Sequence, residues 1–150
     1  MKNDLIEKIY NEISFFSVKK THFSKRNQEL SFKLKDSNNI RDIAKRIKEF
    51  NGRCITIDVY KKQDDYILLY HFDIKNILIT IEVFLTNKTI NSISSVLKSA
   101  IWIEQGINQK YPIKFSDHRN MEKIFLNKDI LKDYLTLSEL MTKKIKKVKL

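Results

Sequence analysis

Two apolar runs that alternate in phase, separated by a four-residue break, constrain this chain more than any other feature. Ile77, Ile79, Ile81, Val83 and Leu85 fall on every second residue, so a strand puts all five on one face. The opposite face carries Thr80, Glu82 and Thr86, which leaves it partly wet or covered by a partner. Just upstream, Tyr66–Phe72 reads as a second strand, joined to the first around Lys75-Asn76. The connection is short enough for antiparallel neighbours.

The remaining elements arrange themselves around that pair. Asp4 and Glu7 suggest a capping box, and Leu5, Ile9, Ile13 and Phe16 recur at helical spacing, which predicts a helix over 4–16. Val18–Phe23 predicts a short strand, and Glu29–Lys35 a half-buried one. Ile40, Ile43, Ala44, Ile47 and Phe50 predict a helix that Asn51-Gly52 ends, with Gly52 in the left-handed position. Ile55, Ile57 and Val59 alternate with Thr56, Asp58 and Tyr60 as a strand. A third helix is predicted over Ser92–Gln109. The order is helix, two strands, helix, three strands, helix, which defines a two-layer α+β fold: a mixed, mostly antiparallel sheet with helices on one face.

On the wheel of that third helix, Ile93, Val96, Leu97, Ala100, Ile101, Ile103 and Ile107 form a broad stripe. Trp102 falls opposite the stripe and Glu104 inside it. Either the helix bends before Trp102, or Trp102 faces outward for a partner to bury. A carboxylate inside an apolar stripe needs a cation or backbone amides, so Glu104 is expected to meet one of these.

With 150 residues the chain is expected to form one domain, residues 1–135, followed by a basic tail, 136–150. That tail alternates Leu140, Met141, Ile145 and Val148 with lysines, either a solvated end or a docking segment. The net charge of +11 favours acidic partners. No apolar run reaches the roughly 20 residues that span a bilayer, and Asp4 follows the start too soon for a secretory signal. A cytoplasmic location is expected. A single cysteine, Cys54, excludes an internal disulfide and a four-cysteine cluster. His22, His71, His118 and Cys54 show no metal-ligand spacing on one element. Two glycines cannot build phosphate-binding or nucleophile-elbow loops. Neither cofactor nor catalysis is expected.

The tract from Ser92 onward resembles the 30-kDa subunit of respiratory complex I and its counterpart in membrane-bound energy-converting nickel–iron hydrogenases. Ser92-Ile93, Ala100, Trp102, Glu104, Tyr111, Ile113, Phe115 and His118 match that family's tract in order and spacing. Tyr70-His71-Phe72-Asp73 resembles its upstream strand, and Ile130–Leu135 its later segment. Gln105, Gly106, Gln109, Pro112 and Asp117 depart from the family's letters, a pattern closer to the hydrogenase branch. The resemblance implies a subunit without cofactor or chemistry of its own. Such a subunit packs against the catalytic large subunit and the neighbouring iron–sulfur subunit at the cytoplasmic face of the membrane. It implies partner contacts through Trp102, Glu104, Tyr111, Phe115, His118, Asp133, Tyr134 and Leu135. The competing reading is a basic nucleic-acid-binding α+β module, with Tyr60, Tyr66 and Tyr70 as stacking candidates.

Overall fold

The computed structural model describes residues 2–17, 22–24 and 26–118. Their elements run α1 (Lys2–Ser14), β1 (His22–Ser24), β2 (Glu29–Lys33), a 3₁₀ turn (Ser37–Asn39), α2 (Ile40–Glu49), β3 (Arg53–Lys62), β4 (Asp65–Ile74), β5 (Ile77–Leu85), β6 (Thr89–Asn91), α3 (Ala100–Lys110) and β7 (Lys114–Ser116). Five strands form one mixed sheet in the order β1-β2-β5-β4-β3, and β6 and β7 form a separate parallel pair. Only the β2–β5 neighbours of the large sheet run parallel. This is the two-layer α+β architecture expected from the periodicities.

The β4–β5 hairpin turns on Lys75 and Asn76, whose φ values of 49° and 68° match the right-handed twist of the flanking strands. Tyr70, Phe72 and Ile74 of β4 and the alternate residues Ile77 to Leu85 of β5 are buried on the inner face. Ile9 and Ile13 of α1, Ile43 and Ile47 of α2, and Ala100 and Ile107 of α3 join the same core. One layer of helices therefore dries one face of the sheet, and apolar burial on that face drives folding.

Three local expectations need correction. α1 begins at Lys2, so Asp4 lies inside its first turn, where it favours the helix dipole instead of capping the end. At the end of α2 the left-handed residue is Asn51, at φ 59°, and no described glycine has positive φ. Asn51 N–H donates to Lys48 O at 2.9 Å and Gly52 N–H to Ile47 O at 2.8 Å, a Schellman closure. Gly52 is required for space: a Cβ there would sit 2.6 Å from Ile47 Cγ2 and 2.7 Å from Ile74 Cγ1. Lastly, Tyr66 and Tyr70 point into the core and only Tyr60 of the three tyrosines is exposed, so they form no stacking platform. The strand expected over Val18–Phe23 falls partly outside the described residues; its described end is β1.

The two glycines should respond oppositely to alanine. Gly52→Ala is expected to destabilise the fold by about 1–3 kcal/mol through overpacking. Gly106, inside α3 with nothing within 4 Å of an added Cβ, should gain about 0.5–1 kcal/mol on Gly106→Ala. Urea unfolding of the two variants measures both signs.

Candidate functional site: a sealed carboxylate beneath an exposed tryptophan

Ser92–Ser99 does not continue α3 as predicted; the segment is a series of turns and the helix starts at Ala100. Side chains satisfy the first backbone donors of this segment. Ser94 N–H donates to Ser92 Oγ at 3.1 Å. Ile93 N–H donates to Glu104 Oε1 at 2.8 Å. Further on, the Ser99 hydroxyl accepts the Cys54 N–H at 3.1 Å, fastening the start of α3 to β3.

Glu104 is the centre of this arrangement, with 0% of its surface exposed. Its Oε2 accepts the Ser92 hydroxyl, and Ser92 Oγ lies 2.7 Å from Ser94 Oγ. His118 Nε2 donates to Ile101 O at 3.2 Å and stands 3.6 Å from Glu104 Oε2. Arg41, from α2, donates through Nε to Ser92 O at 3.1 Å and reaches Asp117 at 3.8 Å. The expectation that Glu104 meets backbone amides is met within the chain itself.

Electrostatics follow from burial. Desolvation pushes the Glu104 carboxyl up to about 7, against the opposing pull of Ser92, the Ile93 amide and the Arg41 charge. Burial lowers His118, with the contact to Ile101 O opposing it. Cys54 is pushed up to about 12 by burial and then by Glu104, so it is no thiolate nucleophile. Tyr70 is raised by burial first, then by Glu104 and Cys54.

Ser92, Glu104 and His118 would suggest acid–base chemistry, but the cluster is closed. The side chains of His118 and Glu104 are 3% and 0% exposed, and Ser92 is fully buried. Such a cluster pins segments together; it offers no reacting atom to a substrate.

The structure brings Ser92, Ile93, Glu104 and His118 together from separate elements. Glu104 and Phe115 are buried, so they support the surface from within instead of presenting themselves to a partner. Tyr111 is half-buried, its ring 6.1 Å from that of Tyr66 in an edge-on arrangement. Trp102 remains 38% exposed on the opposite side of α3 from Glu104. Asp133, Tyr134 and Leu135, and the basic tail, lie outside the described residues. Arg41 and Asp117 belong to the cluster but carry no local sequence signal; 51 positions separate Arg41 from its acceptor at Ser92. Among the described residues, no group of three or more His, Cys, Asp or Glu could hold a metal ion, and no helix is long and apolar enough to cross a membrane.

Comparison with known proteins gives this α+β domain a family. The model of the respiratory-chain NADH dehydrogenase 30 Kd subunit family matches residues 32–139, and the chain belongs to that family. It is thus a subunit of the kind found in respiratory membrane complexes. Its fold is similar to a polypeptide in the structure of the membrane-bound sulfane sulfur reductase, an archaeal respiratory membrane complex. That likeness has a TM-score of 0.65 at 15% identity and covers 81% of this chain and 74% of the other. It is also similar to the trypsin-resistant fragment of Nqo5, with a TM-score of 0.59 at 12% identity over 80% of this chain and 98% of the fragment. No curated protein matches the chain by sequence.

The raised Glu104 has a defined consequence for pH. The unfolded chain releases this proton near the ordinary value of 4.5, while the folded chain keeps it to about 7. Between these values the folded state binds more protons, so stability falls as pH rises, and levels off above about 7. His118, lowered in the fold, acts oppositely, with stability lost as pH falls through its unfolded value. Glu104→Gln keeps a carbonyl oxygen for the Ile93 amide and removes the titration. The difference between wild-type and Glu104→Gln stability is expected to change by up to about 3 kcal/mol from pH 4.5 to 7.5. Urea midpoints across that range provide the measurement.

Proposed function

We propose that this chain is a non-catalytic structural subunit of a membrane-bound, hydrogenase-like or complex I-like redox complex. It docks on the catalytic large subunit and the neighbouring iron–sulfur subunit and helps hold their redox centres at fixed separation. The match of residues 32–139 to the 30 Kd subunit family carries this reading. Support for the mode of contact comes from α3, where Trp102 faces away from the carboxylate that anchors the helix. A large aromatic on an anchored helix fits a partner pocket as an interface anchor. Tyr111 extends the contact at the end of α3, while Glu104, His118 and Phe115 set its shape from inside.

In this reading residues 1–135 form the docking domain, and Asp133, Tyr134, Leu135 and the lysine-rich end add contacts to an acidic subunit or the anionic cytoplasmic face of the membrane. The chain needs no cofactor. A nucleic-acid module has less support, because Tyr66 and Tyr70 are turned inward.

Trp102→Ala should weaken binding to the large subunit by roughly 2 kcal/mol, about 30-fold in Kd, and leave the fold intact. Co-purification and titration with the recombinant large subunit test this. Unchanged affinity, with the variant normally folded, rejects the tryptophan as an anchor.

A further inference from the structure

Ser92, Ser94 and Glu104 form a short chain of groups that bonds in either direction. With Glu104 ionised, the Ser92 hydroxyl donates to Oε2, and Ser92 Oγ accepts from the Ser94 hydroxyl at 2.7 Å and the Ser94 N–H at 3.1 Å. With a proton on Oε2, the carboxyl donates to Ser92 Oγ and the Ser92 hydroxyl turns to Ser94 Oγ. The Ile93 N–H keeps its acceptor, Oε1, at 2.8 Å in both states. The closed fold therefore admits Glu104 with or without its proton.

The neighbours only partly compensate the charge that ionisation creates. Arg41 of α2 directs Nε to Ser92 O at 3.1 Å and Nη1 toward Asp117 at 3.8 Å, and its pull on Glu104 is smaller than the effect of burial. Cys54 of β3 and Tyr70 of β4 lie close enough to feel the carboxylate; both are raised by burial and then by Glu104, so both stay neutral. His118, after β7, donates Nε2–H to Ile101 O at 3.2 Å. Its Nδ1 is buried with no hydrogen-bond partner among the described residues. A proton added there would be a buried donor without an acceptor, and burial holds the ring toward its neutral form.

Ionisation thus places a weakly compensated charge in a dry seam between α3 and the turns of Ser92–Ser99. Both donors to Glu104, from Ser92 and Ile93, belong to those turns and neither to a strand of the large sheet. Water can reach the carboxylate by parting the turns from α3 while the sheet stays paired. We infer that the Ser92–Ser94–Glu104 chain is a proton-controlled latch: protonated, it holds the turns against α3; ionised, it lets them open locally. Because α3 carries Trp102, the state of the latch is felt at the face assigned to docking, and that link alone rests on the docking reading.

NMR hydrogen exchange on the full chain tests the latch with no partner present, so failure of the docking reading leaves its result standing. Opening returns the Glu104 carboxyl from about 7 to its ordinary 4.5, so opening becomes easier as pH rises between these values. Glu104→Gln keeps the Ile93 acceptor, donates to Ser92 Oγ as the neutral acid does, and does not titrate. Protection of the Ile93 and Ser94 amides in the wild type, relative to Glu104→Gln, is expected to fall about tenfold from pH 6 to pH 8. Any response of His118 is common to both proteins and cancels in that ratio. Local opening also requires these two amides to be less protected than those of Phe72 and Ile79 in the sheet, and insensitive to low urea. A ratio that does not change with pH overturns the inference. So does protection equal to that of the sheet with the same urea slope, because the turns then open only when the whole fold does. Where Glu104→Gln fails to fold, Ser92→Ala decides. It strips the anion of its hydroxyl donor, so protection of Ile93 should drop several-fold more at pH 8 than at pH 6, and an equal drop at both overturns the latch.

Discussion

One carboxylate in a dry place governs the shape of the second half of this molecule. A buried, unpaired Glu104 would cost several kcal/mol, so the fold must bring donors to it. Those donors are the Ser92 hydroxyl and the Ile93 amide, twelve and eleven positions upstream, with Arg41 adding charge from α2. The Ile93 amide is thereby held on Glu104, and the residues that follow form turns, with Val96 N–H and Leu97 N–H both donating to Ile93 O. α3 starts at Ala100, and its first turn is placed by Ser99 on the Cys54 amide. From Ala100 onward, the burial of Glu104 fixes the rotation of the helix, and that rotation turns Trp102 outward. The small β6–β7 pair closes the loop, with Ser92 N–H donating to Ser116 O at 2.9 Å.

The elements legible in the sequence are those whose pattern repeats often enough to be read locally. β5 is found at its predicted bounds because five inward residues share one phase. α2 follows from Ile40, Ile43, Ala44 and Ile47, all buried. Ser92–Ser99 misleads because buried apolar residues at helical spacing, Ile93 and Leu97, fit a run of turns as well as a helix. β6 and β7, at three residues each, are too short to alternate. At Gly52 the sequence suggests a conformational need, whereas the need is room beside Ile47 and Ile74, visible only once β4 lies against α2.

The candidate site is legible in part, for a related reason. Trp102 and Glu104 stand out because both fall in the wrong place on a wheel, and both stay opposed on α3. Which of the matching residues face a neighbour cannot be read from their order. Glu104 and Phe115 are consumed by the chain itself, and His118 donates to Ile101 O. Arg41 enters through tertiary packing alone, 51 positions from its acceptor.

What a scaffold needs from such a cluster is rigidity. Docking a side chain that is still free to reorient costs about 0.5–1.5 kcal/mol per immobilised group, and ordering a loop adds to that. In α3 this cost is met during folding. The helix is tied at its start by Ser99 to Cys54, in its middle by Glu104 to Ile93, and after its end by Asn108 Nδ2 donating to Ile113 O at 2.9 Å. A tryptophan carried on a helix held at three points presents its ring with little motion left to lose. The desolvation borne by Glu104 and the affinity available at Trp102 are in this sense coupled. Loosening the buried carboxylate would release the rotation of α3, and the indole would lose its fixed aim before any surface residue had changed.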